Sequence, residues 1–212
     1  MKVIATNLIT AFLLCLIPAA GRAQDFAADV VYIAASKANS PTTATSNVPG
    51  HSSKLYVSKN KIRLETRGIT GTILLVNGDE RTAVALFPAQ KAYQQLTSPP
   101  AEYFRAEDVE NACADWAKAS DQKIVCEKVG HETVNGRPAV KYQNKGGSNV
   151  EIAAVWIDLA LKFVTKWEGT TTGAELHNIT EAPQAADLFT VPTAFTVLKP
   201  QKPSKGFAQR KP

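Results

Sequence analysis

Thr72-Ile73-Leu74-Leu75-Val76-Asn77-Gly78-Asp79-Glu80-Arg81-Thr82-Ala83-Val84-Ala85-Leu86-Phe87 reads as two strands folded back on each other. The Ile, Leu and Val side chains favour extended backbone, and Asn-Gly suits the positive φ angles of a tight type I′ turn. Ala83 to Phe87 is apolar at successive positions, so both faces of its strand need cover.

The same chemistry extends in both directions. Upstream, Phe26 to Ala35 is rich in Val, Ile and Tyr, and Lys54 to Val57 and Ile62 to Glu65 flank a Lys59-Asn60 turn. Between them, Ser36 to Ser53 is a polar stretch long enough to predict a flexible loop or flap. Downstream, Lys91 to Leu96 gives a further strand, closed by Pro99-Pro100. The pattern then changes. From Ala101 to Ser120 the residues Tyr103, Phe104, Ala106, Val109, Cys113, Trp116 and Ala117 recur at three- and four-residue spacing, which predicts one or two helical pieces. Strands resume at Ile124 to Val129, and Thr133-Val134 and Ala139 to Gln143 flank Asn135-Gly136. Val150 to Asp158, Lys162 to Trp167 and Ala174 to Thr180 follow. Pro183 to Leu188 suits one helical turn before a last short strand, Phe195 to Leu198.

The sum is a mainly β (α+β) chain of roughly ten or eleven strands, six before the helical segment and five after it. Short turns predict antiparallel pairing. Val150 to Ile157 repeats the two-sided character: Ile152, Ala154 and Trp156 alternate with Ala153, Val155 and Ile157. A strongly curved sheet or unclosed barrel with helix in its concavity would cover both faces.

The N-terminus carries an address. Lys2, an apolar run from Leu8 to Ile17, and small residues ending at Gly21 and Ala23 form the layout of a secretory signal peptide, residues 1–23. The run is shorter than the ~20 residues that span a bilayer. Cleavage near Ala23/Gln24 predicts a periplasmic or secreted protein, not transmembrane when mature. The folded unit is expected over residues 24–198. Loss of Lys2 and Arg22 takes the formal charge from +5 to +3. Lys199, Lys202, Lys205, Arg210 and Lys211 lie in a Pro-containing tail, 199–212, so the body is left at −2. The basic pI is therefore no evidence for a nucleic-acid surface, which needs clustered cations on a folded face, and no nucleic-acid partner is expected. The tail composition predicts a disordered end.

Cys15 leaves with the signal, so Cys113 and Cys126 remain. An even pair in an oxidising compartment reads as a disulfide, the alternative being two buried thiols. Catalytic groupings are missing. His51, His131 and His177 lie in separate segments, and His131-Glu132-Thr133-Val134-Asn135 ends in Asn where a zinc-protease helix needs a second His. No nucleophile elbow or phosphate-binding loop occurs. Glu107/Asp108 and Asp79/Glu80 read as solvated acids. The expectation is no enzyme, no metal and no cofactor.

Asn111-Ala112-Cys113-Ala114-Asp115-Trp116 and Cys126 to Pro138 form a pattern with other pieces in order: Asp25 to Val30, Lys54 to Glu65, Leu86-Phe87-Pro88 to Tyr93, Val155 to Asp158 and Asp187 to Pro192. Together they resemble an uncharacterised family of exported bacterial proteins grouped with the outer-membrane lipoprotein carrier (LolA/LolB-like) fold. The resemblance implies an unclosed antiparallel barrel with helices in the hollow, where the carriers shelter acyl chains. No carrier residue known to contact ligand or partner can be matched here.

Two functions are consistent with these features. One is a non-enzymatic periplasmic binding or carrier protein for an apolar or lipidic ligand, such as a lipid or lipoprotein acyl chain. Its cavity would be lined by Leu75, Val84, Leu86, Val155, Ile157 and Phe163, each of which could equally be core packed on the helix. The other is a structural or interaction module of the cell envelope, contacting an envelope protein and holding no small ligand.

Overall fold

The computed structural model describes residues 25–34, 53–66, 71–96, 104–119, 125–145, 152–170 and 172–198. The segments expected to be a signal peptide (1–23) and a disordered tail (199–212), and most of the expected flexible loop (36–53), lie outside them.

Among the described residues twelve strands form one unclosed sheet: β1 (Phe26–Ala34), β2 (Ser53–Ser58), β3 (Lys61–Glu65), β4 (Ile73–Asn77), β5 (Thr82–Phe87), β6 (Ala92–Leu96), β7 (Cys126–Val134), β8 (Arg137–Asn144), β9 (Ile152–Asp158), β10 (Phe163–Gly169), β11 (Thr172–Glu181) and β12 (Thr196–Val197). The order is β12-β6-β5-β4-β3-β2-β1-β11-β10-β9-β8-β7. Two meanders, β1 to β6 and β7 to β11, are thus joined by the antiparallel pairing of β1 with β11. The expected six-plus-five arrangement holds, and the last short strand adds a twelfth. That strand departs from the antiparallel rule: β12 runs parallel to β6, pairing Thr196 with Ala92, because a long return segment rather than a hairpin delivers it.

Asn-Gly pairs act differently at two places. Asn135 and Gly136 have φ of +50° and +79°, as the two-residue turn between β7 and β8 requires. At Asn77-Gly78 the expected type I′ turn does not form. The Asn77 side chain accepts from the backbone N–H groups of Asp79 and Glu80, and the left-handed residue is Arg81, at φ +51°. The local side-chain bond to the backbone wins there and lengthens the turn. Ser53 also departs from the loop reading. It is the first residue of β2, buried and paired with Val30.

Register shifts at Ala27/Asp29, Lys128/Gly130, Val164/Lys166 and Glu168/Gly169 bend the strands. The bending is visible at Phe26 and Phe163. Their strands flank β11, which in a flat sheet would put them about 9–10 Å apart, yet the ring centroids lie 5.2 Å apart, edge to face.

The helical segment is shorter than the periodicity implies. A 3-10 turn at Val109–Asn111 leads into α1 (Ala112–Ala119). Ala106, Val109, Ala112 and Trp116 are buried, whereas Phe104 and Ala117 are exposed and Tyr103 lies outside the described residues. No helix among the described residues is long and apolar enough to cross a membrane.

Candidate functional site

Cross-strand partners share a face, so the register assigns each side chain to one side of the sheet. The face carrying Phe26, Ala28 and Val30 is here called inner. It continues through Leu55 and Val57 of β2, Ile62 and Leu64 of β3, Leu74 and Val76 of β4, and Ala83 and Ala85 of β5. On the other side of β1 it passes Tyr32, Ala174, Trp167, Val155 and Tyr142. Two buried clusters occupy it. One gathers Phe26, Val57, Ile62, Val76, Leu161 and Phe163. In the other, Val109, Ala112 and Trp116 of the helical segment pack on Val140, Tyr142, Ile157 and Val164. Trp167 borders both.

Among the described residues the helical segment therefore roofs the β8–β10 part of the inner face. Tyr142 fixes it there. The phenol accepts from the Ala112 N–H at 3.2 Å and donates to the Val109 carbonyl at 2.7 Å, and its ring meets Trp116 edge to face. Burial pushes the Tyr142 hydroxyl up from its ordinary pKa. Tyr142→Phe strands a buried donor and a buried acceptor, so urea unfolding should show a loss of about 1–3 kcal/mol.

The Cys113–Cys126 pair forms the disulfide, with Cα atoms 5.8 Å apart, and ties the first turn of α1 to the start of β7. Glu110 adds an ion pair to Lys128 of β7 and lies 3.4 Å from His131 Nε2, and its hydrogen bond from Lys128 holds the carboxyl below the usual range.

The six residues named as a cavity do not share one surface. Val155 and Ile157 face the helical segment. Phe163 pairs with Asp158, opposite the face of Ile157 and Val164, and joins the neighbouring cluster by meeting Phe26 across the bend. Leu75, Val84 and Leu86 lie on the outer face, which also carries Ile73 and Arg63. There Arg63 Nη1 donates to the Leu188 carbonyl at 2.8 Å, and the 3-10 turn Ala186–Phe189 packs over β3 and β4. Leu75 and Leu86 are 6% and 1% exposed. The two-sided apolar strand thus has two separate covers, and only long-range contacts reveal the second.

The outer face of the other meander is closed by charge. Trp156 lies between the ammonium groups of Lys141 and Lys166, each 4.6 Å from its ring centroid, and its indole N–H donates to Glu132 at 2.7 Å. That bond holds the Glu132 carboxyl low, and Lys166 is itself paired with Glu175 and Glu168. Trp156 is 2% exposed under these charges.

Asp158, fully buried at the end of β9, accepts from Arg137 Nε at 2.5 Å and from the N–H groups of Ala160 and Leu161 at 2.8 Å. Arg137 also reaches Glu181, and the bond to Asp158 is the main reason its pKa is raised.

Among the described residues no group of three or more His, Cys, Asp or Glu could hold a metal. Glu107, Asp108, Asp79 and Glu80 are exposed, and Asp108 caps the 3-10 turn through the Glu110 N–H.

Sequence reading missed Arg105. It is a cation inside the apolar stripe, directly after Phe104, and that position was the available signal. Its guanidinium carbon lies 5.4 Å from the Phe163 ring centroid. Burial lowers its pKa, and Asp25 partly opposes the shift.

No protein-family model matches the chain, and no curated protein matches it. Solved structures do. An uncharacterized conserved protein from Thermus thermophilus aligns over 83% of this chain and 90% of its own length, at 9% identity and a TM-score of 0.49. PNGF-II aligns over 82% of this chain at 10% identity and a TM-score of 0.52; this chain spans only 31% of that protein. A LolA superfamily protein from Nitrosomonas europaea aligns over 80% of this chain and 92% of its own length, at 10% identity and a TM-score of 0.36. These likenesses concern the fold alone.

Proposed function

We propose that this is a non-enzymatic binding or carrier protein of the periplasm, exported by cleavage near Ala23/Gln24, that holds an apolar or lipidic ligand on the inner face of its sheet. The observation that carries this reading is the part of that face beyond the helix. Leu64, Leu74, Trp167 and Ile179 border the inner cluster while only partly buried, and Tyr32 and Leu96 are exposed at 42% and 39%. Covering such side chains with an acyl chain is worth about 0.8 kcal/mol per CH₂. Val155, Ile157 and Phe163 lie on or beside this surface, whereas Leu75, Val84 and Leu86 serve the opposite face.

The test is native mass spectrometry of the purified protein with extraction of bound lipid, together with titration by fluorescent fatty acids. A lipid adduct and saturable binding are expected. A protein that carries no lipid and gives no shift with fatty acids ends this reading.

A second reading is an envelope interaction module without a small ligand. It is favoured by β7, a nine-residue strand at the open edge of the sheet. Its outer edge, which faces no further strand among the described residues, could receive a partner's strand. It predicts capture of an envelope protein by lipid-free material.

A further inference from the structure

We propose that Arg105 anchors the anionic head of an amphiphile whose apolar tail lies along the inner face; this rests on the carrier reading above. The backbone of Arg105 is held firmly. It bridges Phe163 of β10, its carbonyl accepts from the Trp116 indole N–H at 2.8 Å, and the next residue, Ala106, donates to the Lys162 carbonyl at 3.2 Å. The side chain is held against the Phe163 ring, which stacks on Phe104 and meets Phe26 edge to face.

The guanidinium itself is not satisfied. Its Nε and Nη2 are buried and have no hydrogen-bond acceptor among the described residues. Asp25 is the carboxylate that acts on it, but Asp25 Oδ2 accepts from the Ser58 hydroxyl and Oδ1 from the Lys59 N–H. A buried donor without an acceptor is rare enough in native proteins to require a reason. Here a permanently charged fork is fixed at the border of an apolar surface, lacking the planar, doubly accepting partner it fits best. That partner is a carboxylate or a phosphate. The exposed Phe104 ring beside it is the side chain that would give way to the incoming head.

Three probes with one oleyl chain separate the possibilities: oleate, oleyl phosphate and oleyl alcohol, titrated below their micelle concentrations against delipidated full-length exported protein, read by tryptophan fluorescence. The wild type is expected to bind one or both anions at least about tenfold more tightly than the alcohol, a factor that corresponds to one good charge-assisted contact. Preference for oleate alone identifies a carboxylate head, and for oleyl phosphate alone a phosphate head. Arg105→Met should abolish the preference and leave alcohol binding unchanged. Should that variant not fold, Arg105→Lys decides: it keeps the charge without the fork, and an undiminished anion preference overturns the proposal. Equal binding of all three probes by the wild type overturns the anchor and leaves the carrier reading standing. Binding of none overturns both.

Discussion

Asp158→Ala should destabilise the fold by about 3–5 kcal/mol, the range for breaking a buried ion pair, here with the carboxylate buried and the Arg137 side chain 28% exposed. The carboxylate closes the β9–β10 turn through the Ala160 and Leu161 N–H groups, and it pairs with Arg137 at the start of β8. Its removal leaves the buried Leu161 N–H without an acceptor. Arg137 keeps Glu181, which places the expected loss toward the lower end of the range. Asp158→Asn should cost less, since its side-chain oxygen can still cap the turn. The measurement is the urea midpoint of the three proteins at neutral pH. Equal stability of Asp158→Ala and wild type would remove this ion pair from the account of the fold.

Reduction of the Cys113–Cys126 bridge, or its replacement by Cys113→Ala with Cys126→Ala, should lower stability by about 3 kcal/mol, the chain-entropy value for a short closed loop. The sequence separation is 13 residues, and the bridge joins α1 to an edge strand. The loss should be local in character. Trp116 and Tyr142 pack beside the bridge, so fluorescence of the helix region should change at lower urea than backbone circular dichroism does. A single coincident transition with and without reductant, at one midpoint, would show that the helix needs no tether. Intact mass before and after reduction checks that the bond is present.

The strands were legible because their signals are local. Runs of strand formers between turn residues mark β1 to β11 to within a few positions, except that the segments read at Ile124–Val129 and Thr133-Val134 are one strand, β7, continuous through Gly130. The Cys pair was legible because the expected loss of Cys15 with an export signal leaves an even pair. What failed was whatever depended on competition between near neighbours or on distant contacts. Asn77 engaged the backbone N–H groups of Asp79 and Glu80 instead of adopting a type I′ turn. Phe104 and Ala117 share the spacing of Ala106 and Trp116, yet both are exposed. The residue after Phe104 is bridged to β10 as extended backbone, so one helical period does not run through the segment. Ala117 lies next to the buried Trp116 at the margin of the stripe. The cavity set was drawn from apolarity, a property that does not say which face of a curved sheet a residue occupies.

The sequence by itself determined the strand-rich class, the order of the two meanders around a helical segment, and the need to cover both faces of β5 and β9. Period-two patterning and turn chemistry act over a few residues, so a single chain carries them openly. Tertiary structure alone decided what supplies each cover: α1 on the inner side of β8 to β10, the Ala186–Phe189 turn on the outer side of β3 and β4, and two lysines over Trp156. It also decided that Arg105, one cation among many in the sequence, is fixed against Phe163 with two of its donors buried and unmatched. Those outcomes depend on register and curvature. Both are set by bulges and by contacts between residues far apart in the chain, and no local pattern encodes them.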